Sequence, residues 1–507
     1  MGLLFFTEGY AQERHICGTS PEALNAIQER LIKNKAALKL KRQQSTSRNR
    51  EDIFIPIKFH MVAQSNGRGR ATDANLLNQM CTINEAFGEL GIKFYLKDGV
   101  NYLDNGALYD SPTILIVVTQ MQNIRDDEAV NVFVVGNAQN PQVEGVGRTL
   151  GYYSPSTVQA DTDWIVVRQD EIAGGGMTLL HELGHFFSLP HPFNGWDFDP
   201  YNPSRHGSPA PESAPNGRLT ELADGSNCEV AGDMLCDTPA DYLYFSQLNS
   251  NTCSYNLPMI DPQGDTLQPD PTLIMGYFLD RCMDRFTPEQ VEMMRIDFES
   301  EDRAHLRSNP FTPIGIDLPD EPIAESTISP SNEEIVGVVA SGDEIILEWG
   351  AVEGATSYIV ESNIPDFESA IVTEARLPVR VEVGRLYRWR VRPFNDLDFC
   401  TPATLSEFRV DMVSSVPNIG AVEEWSIQPN PVLPSSDLFL SLAASQSFEA
   451  DIRVRNVAGS TLFELPNRTF EIGDNTIPIS TDGLNSGLYI LSIENEEGVT
   501  QRKVVVW

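Results

Sequence analysis

His181-Glu182-Leu183-Gly184-His185-Phe186-Phe187-Ser188-Leu189-Pro190-His191 is the stretch on which the reading of this chain turns. His181 and His185 are four residues apart, so on a helix they share one face and can grip a single metal ion. Glu182 is rotated off that face, where its carboxylate reaches a metal-activated water without ligating the metal. His191 requires the helix to stop and the chain to double back. Pro190 helps, because the residue before a proline is pushed out of the helical region. Three neutral imidazoles with one open position make a catalytic zinc site rather than a closed structural one. Zinc lowers the pKa of its water to about 7, and Glu182 can take the proton as the water attacks a carbonyl. The chain has 7 histidines, and three of them fall in this one stretch.

HExxHxx(G)xxH resembles the metzincin zinc signature, and its surroundings resemble the pappalysin family of metzincins. Leu273-Ile274-Met275-Gly276-Tyr277-Phe278 is similar to the family's Met-containing turn. Gly232-Asp233-Met234-Leu235-Cys236-Asp237-Thr238-Pro239-Ala240 precedes it, and Cys282 with Phe286-Thr287-Pro288-Glu289-Gln290 follows it, each close to a family block. The resemblance implies Zn²⁺ on His181, His185 and His191, Glu182 as general base and later proton donor, and Met275 as a soft floor under the ligands. It also implies that the Tyr277 hydroxyl stabilises the developing oxyanion. Ser188 stands where many metzincins have a left-handed glycine, at a cost of about 1 kcal/mol if the turn is kept. The turn is expected to survive.

Further implications follow from the same resemblance. Cys17-Gly18-Thr19 is similar to a latency motif in family pro-segments, in which the Cys17 thiolate fills the fourth zinc position. Asp233, Asp237 and Thr238 offer hard oxygens for Ca²⁺. Cys228, Cys236, Cys253 and Cys282 allow three pairings. The resemblance favours Cys253 with Cys282, which leaves Cys228 with Cys236. Relatives often cleave beside arginine through an acidic group near the Met turn. Asp280 and Asp284 are the candidates for an Arg/Lys preference, while Arg281 between them opposes their field. Thr149 to Tyr153 corresponds to an edge strand on which a peptide substrate pairs antiparallel.

Composition bounds the rest. The chain has 507 residues, too many for one core. Its 36 Lys plus Arg against 72 Asp plus Glu give a formal charge of −36, which argues against nucleic acid and anionic membrane as partners. No apolar run approaches the roughly 18 residues of a membrane helix. Disulfides would agree with an oxidising, exported destination. Cys81 reads as a buried free thiol on a helix, and Cys400 is left over in another domain.

Met1 to Gln12 carries a short apolar patch and reads as a truncated secretory signal. A basic helical stretch runs to Arg42, and Arg48 and Arg50 in the polar segment after it are the expected activation points. Strands are expected at 53–61, 92–96, 129–135 and 164–167, with a helix at 73–90. Residues 309–332 are rich in Pro, Ser and acidic groups, as in a linker. Trp349, Tyr358 and Trp389 in short strands resemble a fibronectin type III sandwich. Pro429-Asn430-Pro431, Gly487-Leu488-Tyr489 and the closing Lys503-Val504-Val505-Val506 resemble the C-terminal sorting domain of the type IX secretion system of Bacteroidetes.

The expected architecture is multidomain. Residues 1–12 are the signal, 13–50 a pro-segment with a cysteine switch, and 51–308 an α+β metzincin-like catalytic domain. A linker at 309–332 leads to two all-β sandwiches, a fibronectin type III-like domain at 333–413 and a secretion and sorting domain at 424–507. The expected protein is a monomeric, secreted or cell-surface zinc endopeptidase handled by the type IX machinery and acting on protein or peptide substrates. The alternative is a non-catalytic surface adhesin on a protease scaffold. Such scaffolds lose Glu182 or a ligand, and none is lost here.

Overall fold

The computed structural model describes residues 17–44, 52–141, 143, 149–156, 162–174, 176–244, 248–249, 253–255, 259–311, 318–365, 367, 369–412, 419–456 and 459–507. The expected signal at 1–12 and the activation points Arg48 and Arg50 lie outside them. The chain divides into two compact units, one of residues 1–332, 346–377 and 388–406, the other of 333–345, 378–387 and 407–507. The strand-rich segment 333–413 is therefore shared between units.

The first unit is built on a six-stranded sheet of order β2-β1-β4-β6-β5, with β3 also paired to β1. β1 (Ile53–Ala63) runs parallel to β2 (Ile92–Leu96), β3 (Asn101–Asp104) and β4 (Val130–Val135). β6 (Trp164–Arg168) is parallel to β4, and β5 (Gly151–Ser154) pairs antiparallel with β6 to form the edge. β4 reads Val-Asn-Val-Phe-Val-Val and is buried at every residue, as a central strand covered on both faces must be. The leader helix α1 (Pro21–Gln44) precedes this sheet. α2 (Asp73–Gly88) crosses over between β1 and β2, opened by a Thr72–Asn75 capping box. α3 (Gly106–Asp110) and α4 (Leu115–Ile124) lead to β4. α5 (Gln169–Gly174) and α6 (Thr178–Phe186) follow β6.

A long, mostly irregular connection holds α7 (Pro203–His206), β7 (Leu248–Asn249) and β8 (Ser254–Tyr255) before α8 (Pro288–Glu299). Two expected disulfides, Cys228–Cys236 and Cys253–Cys282, are formed here. The reading of Cys81 and Cys400 is corrected: they are bonded to each other. Helical periodicity put Cys81 on α2 but could not show its partly exposed side chain turned to the strands that bring Cys400.

β9 (Glu334–Val338), β10 (Asp343–Glu348), β11 (Ser357–Ser362), β12 (Ser369–Val372), β13 (Arg376–Val381), β14 (Leu386–Phe394) and β15 (Thr404–Met412) follow. Within the first unit β11 pairs antiparallel with β12 and β14, and Ile359, Phe394 and Phe399 join the same core as α2 and α6. Within 309–332, expected as a linker, Leu318, Ile323 and Ile328 are buried, and Thr404 Oγ1 donates to Ile323 O at 2.6 Å. Its Pro and acidic content gave no sign of these spaced apolar anchors.

In the second unit β16 (Val422–Gln428), β17 (Asp437–Ala444) and β20 (Gly473–Ser480) form one antiparallel sheet. β19 (Thr461–Phe470), β18 (Phe448–Asn456), β21 (Gly487–Asn495) and β22 (Gly498–Val506) form another, in that order. Alternating buried residues such as Leu438, Leu440, Ile452, Val454, Leu491 and Ile493 fill one core. No helix among the described residues is long and apolar enough to cross a membrane.

Candidate metal centre and cleft

Every residue of α6 is buried, and Gly184 is required there because a Cβ would stand 2.2 Å from Met275 Sδ. The helix ends in a Schellman turn: Leu189 N donates to Gly184 O at 2.9 Å and Ser188 N to His185 O at 3.0 Å. Ser188 takes the left-handed conformation, φ 69°, so the expected turn is kept without glycine. That turn reverses the chain and brings His191 back over the helix.

His181 Nε2 and His185 Nε2 each lie 3.0 Å from His191 Nε2. The far nitrogens are all held: His181 Nδ1 donates to Ile274 O at 2.8 Å, His185 Nδ1 to Leu189 O at 2.7 Å, and His191 Nδ1 to Asp197 Oδ1 at 2.6 Å. With each proton on Nδ1, three Nε2 lone pairs converge on one point, an arrangement that repels unless a cation lies between them. Cys17 Sγ closes the fourth side, all four ligand atoms being within 4.8 Å of one another. The donor set and its supporting hydrogen bonds fit a tetrahedral zinc site.

The leader fills the cleft around this point. Cys17 makes a parallel bridge with Gly151 of β5, Gly18 N donates to Gly151 O at 2.7 Å, and Asn140 Nδ2 donates to Gly18 O at 2.8 Å. Thr19 Oγ1 accepts from Tyr153 N at 3.0 Å and donates to Glu182 Oε2 at 3.3 Å. Cys17 N donates to the Tyr277 hydroxyl at 3.1 Å. Burial pushes the Glu182 carboxyl up to about 8, with hydrogen bonds from Cys17 and Thr19 opposing it. Burial, and then the neighbouring Glu182 charge, push the Cys17 thiol up. The Tyr277 ring lies 5.0 Å from that of His191, and burial raises its hydroxyl.

The sequence-derived residues Cys17, His181, Glu182, His185, His191 and Tyr277 thus meet at one place, with Met275 beneath. Asp197, Thr19 and Gly184 were missed. A carboxylate soon after the third histidine was the available signal for Asp197. The other expected metal residues lie apart from this centre. Thr238 Oγ1 donates to Asp233 Oδ1 at 2.9 Å, whereas Asp237 caps α8, accepting from Thr287 Oγ1 at 2.6 Å and Glu289 N at 2.8 Å. Asp280 Oδ2 accepts from Met177 N at 3.2 Å, at the start of α6, and Asp284 is exposed.

Residues 426–507 match the family of secretion system C-terminal sorting domains. The chain carries a type IX sorting tail and is a secreted or cell-surface protein. It is similar to an extracellular metalloprotease of Colletotrichum graminicola, 25% identical over 259 residues that cover 48% of this chain and 75% of that one. An extracellular metalloprotease of Neurospora crassa is 25% identical over 295 residues, 54% of this chain and 84% of its own. Among solved structures, the fibronectin(III)-like modules of Clostridium thermocellum CbhA share 14% identity over 36% of this chain and 92% of theirs, with a TM-score of 0.16, too low to bear on the fold.

Proposed function

We propose that this chain is a zinc-dependent endopeptidase of the pappalysin type, made as a latent precursor. The observation that carries the reading is the convergence of three Nε2 atoms, each 3.0 Å from its neighbour across His191, with every Nδ1 proton committed elsewhere. Bound zinc supplies a Lewis acid that polarises a peptide carbonyl and acidifies water. Glu182 takes a proton from the attacking water and hands it to the leaving amine. Its raised pKa belongs to the dry, leader-filled cleft and falls as water enters. The Tyr277 hydroxyl, engaged by Cys17 N in the precursor, is freed to donate to the developing oxyanion. Gly151 O and Tyr153 N, now engaged by the leader, become backbone partners for substrate.

Two finer readings accompany it. The expected calcium site at Asp233, Asp237 and Thr238 is proposed, with Glu221 as a further oxygen donor. Glu221 Oε2 and Asp233 Oδ2 are buried without hydrogen-bond partners, and burial pushes their carboxyls up to about 10 and about 7. A divalent cation would satisfy both oxygens. Gly232 (φ 54°) permits this approach, since its Cβ would lie 2.1 Å from Glu221 Oε2. An Arg/Lys preference is proposed to rest on Asp280 rather than on exposed Asp284.

The test incubates purified precursor with zinc and calcium and follows its N-terminus by mass spectrometry, beside Glu182→Ala. Cleavage near Arg48 or Arg50 in wild type alone is expected. If zinc-loaded, trypsin-trimmed wild type also leaves a denatured protein substrate intact, the enzymatic reading fails.

A further inference from the structure

One face of α1 is seated on the first unit. Leu24, Ile27, Leu31 and Leu38 recur at helical intervals, are buried, and belong to the same core as α2 and α6. Two polar anchors lie among them. Arg30 Nη2 donates to His185 O at 3.3 Å and to Phe186 O at 2.5 Å, carbonyls at the C-terminal end of α6, where a cation is favoured. Arg30 Nη1 donates to the Tyr153 hydroxyl at 3.3 Å, and its Nε lies 3.1 Å from Oδ1 of buried Asp297. Asn34 Nδ2 donates to the same Asp297 oxygen at 2.8 Å. Arg303 holds the other side of these groups. Its Nε donates to Asp297 Oδ2 and its Nη2 to the Tyr153 hydroxyl, both at 3.1 Å, and its Nη1 donates to Asp163 Oδ2 at 2.6 Å. Asp297 and Asp163 are thus balanced by two guanidinium groups, one of which belongs to the leader. Without Arg30 one carboxylate charge loses its counterion out of water, which is strongly unfavourable. Charge favours the same match at longer range: α1 carries six Lys or Arg against two Glu, +4 in all, on a chain whose total is −36.

We propose that this face is a binding site for the leader helix as a separate polypeptide: a second site, apart from the metal centre, that takes a cationic helix through its aliphatic face, Arg30 and Asn34. The leader therefore stays on the protein after the chain is cut between α1 and β1. Its helix keeps Cys17-Gly18-Thr19 beside the metal centre at high effective concentration, so a single cut does not end latency. A free copy of the helix competes for the face and lets those three residues leave. The consequence for turnover rests on the latent-peptidase reading above, whereas the binding does not.

The probe is a fluorescent peptide of residues 21–44, which lacks Cys17, Gly18 and Thr19. It is titrated into the full chain carrying Glu182→Ala, nicked by trypsin and shown by mass spectrometry to be cut only between α1 and β1. Saturable binding is expected with or without zinc, and the intact precursor, its own helix tethered, should bind about tenfold more weakly or worse. Arg30→Ala in the peptide should raise Kd by about tenfold or more, although alanine is the better helix former, and Arg30→Lys should recover only part of the loss. No binding of 21–44, a need for residues 17–20, equal binding by the Arg30→Ala peptide, or equal binding by a scrambled peptide of the same charge would each overturn the site. In nicked wild type the unlabelled peptide in excess should raise turnover of a quenched substrate by about threefold or more. Turnover that saturating peptide leaves unchanged overturns the role in latency. Binding with no turnover under any condition supports the site and sinks the peptidase, whereas turnover without binding sinks the site alone.

Discussion

Gly18 has no room for a side chain, because a Cβ there would stand 2.3 Å from Thr149 Cγ2. Gly18→Val should therefore lift the leader from the cleft while Cys17 remains, and precursor activity on a quenched peptide should rise by roughly tenfold, equal to about 1.4 kcal/mol. Activity no higher than in the unaltered precursor would mean that the thiol alone holds latency. Asp197 fixes the third ligand through His191 Nδ1. Asp197→Ala should weaken zinc binding about 10- to 100-fold in chelator competition, with the fold retained by circular dichroism. At this scale the converging histidines were legible because a spacing of four puts two imidazoles on one helix face. Asp197 was not, since its approach depends on a turn that no periodicity reports. Asp237 has hard oxygens of the kind calcium takes, and in the structure they accept from Thr287 Oγ1 and Glu289 N at the start of α8.

Two elements carry the next layer. α1 docks against the end of α6 and against α8: Arg30 Nη2 donates to Phe186 O at 2.5 Å, and Asn34 Nδ2 donates to Ser188 Oγ and Asp297 Oδ1, both at 2.8 Å. Arg30 also pairs with buried Asp297 at 3.1 Å. Arg30→Ala should speed dissociation of the trypsin-nicked leader by at least tenfold in size-exclusion time courses, since a buried charge-assisted contact is worth about 1.5–3 kcal/mol. In β1, His60 is buried between Asn131 Oδ1 and Asn101 Nδ2, each at 3.0 Å. Burial lowers its pKa to about 4. The unfolded chain takes up that proton near pH 6.5, so the stabilising contribution is intact above 6.5 and is lost as pH falls towards 4. The loss reaches about 3 kcal/mol. Urea midpoints at pH 7 and 4.5 should fall less in His60→Gln than in wild type; equal falls would remove His60 as the cause. Alternation and helical spacing placed β1, β2, β4, β6 and α2 within a few residues, but not α3, α4, α5, α7 or α8. The edge strand came out shifted, Gly151–Ser154 rather than 149–153, because its limits are set by pairing with β6.

At the scale of the whole molecule, two ends and a middle behave differently. The sorting tail was readable because its marks come in order at its two ends, Pro429-Asn430-Pro431 just after β16, Gly487 opening β21 and Lys503 in β22. The intervening strands were readable as strands, but their division between units was not. Cys81 and Cys400 are separated by 319 residues, and every histidine of the metal centre lies between them. That bond closes residues 81–400 into a covalent ring, with the leader, β1 and the first half of α2 before it and the tail after it. A single nick inside the ring separates no fragment until thiol is added. Polypeptide emerging in order cannot seal this ring until residue 400 has appeared, long after the zinc ligands, so closure belongs to the oxidising side of export.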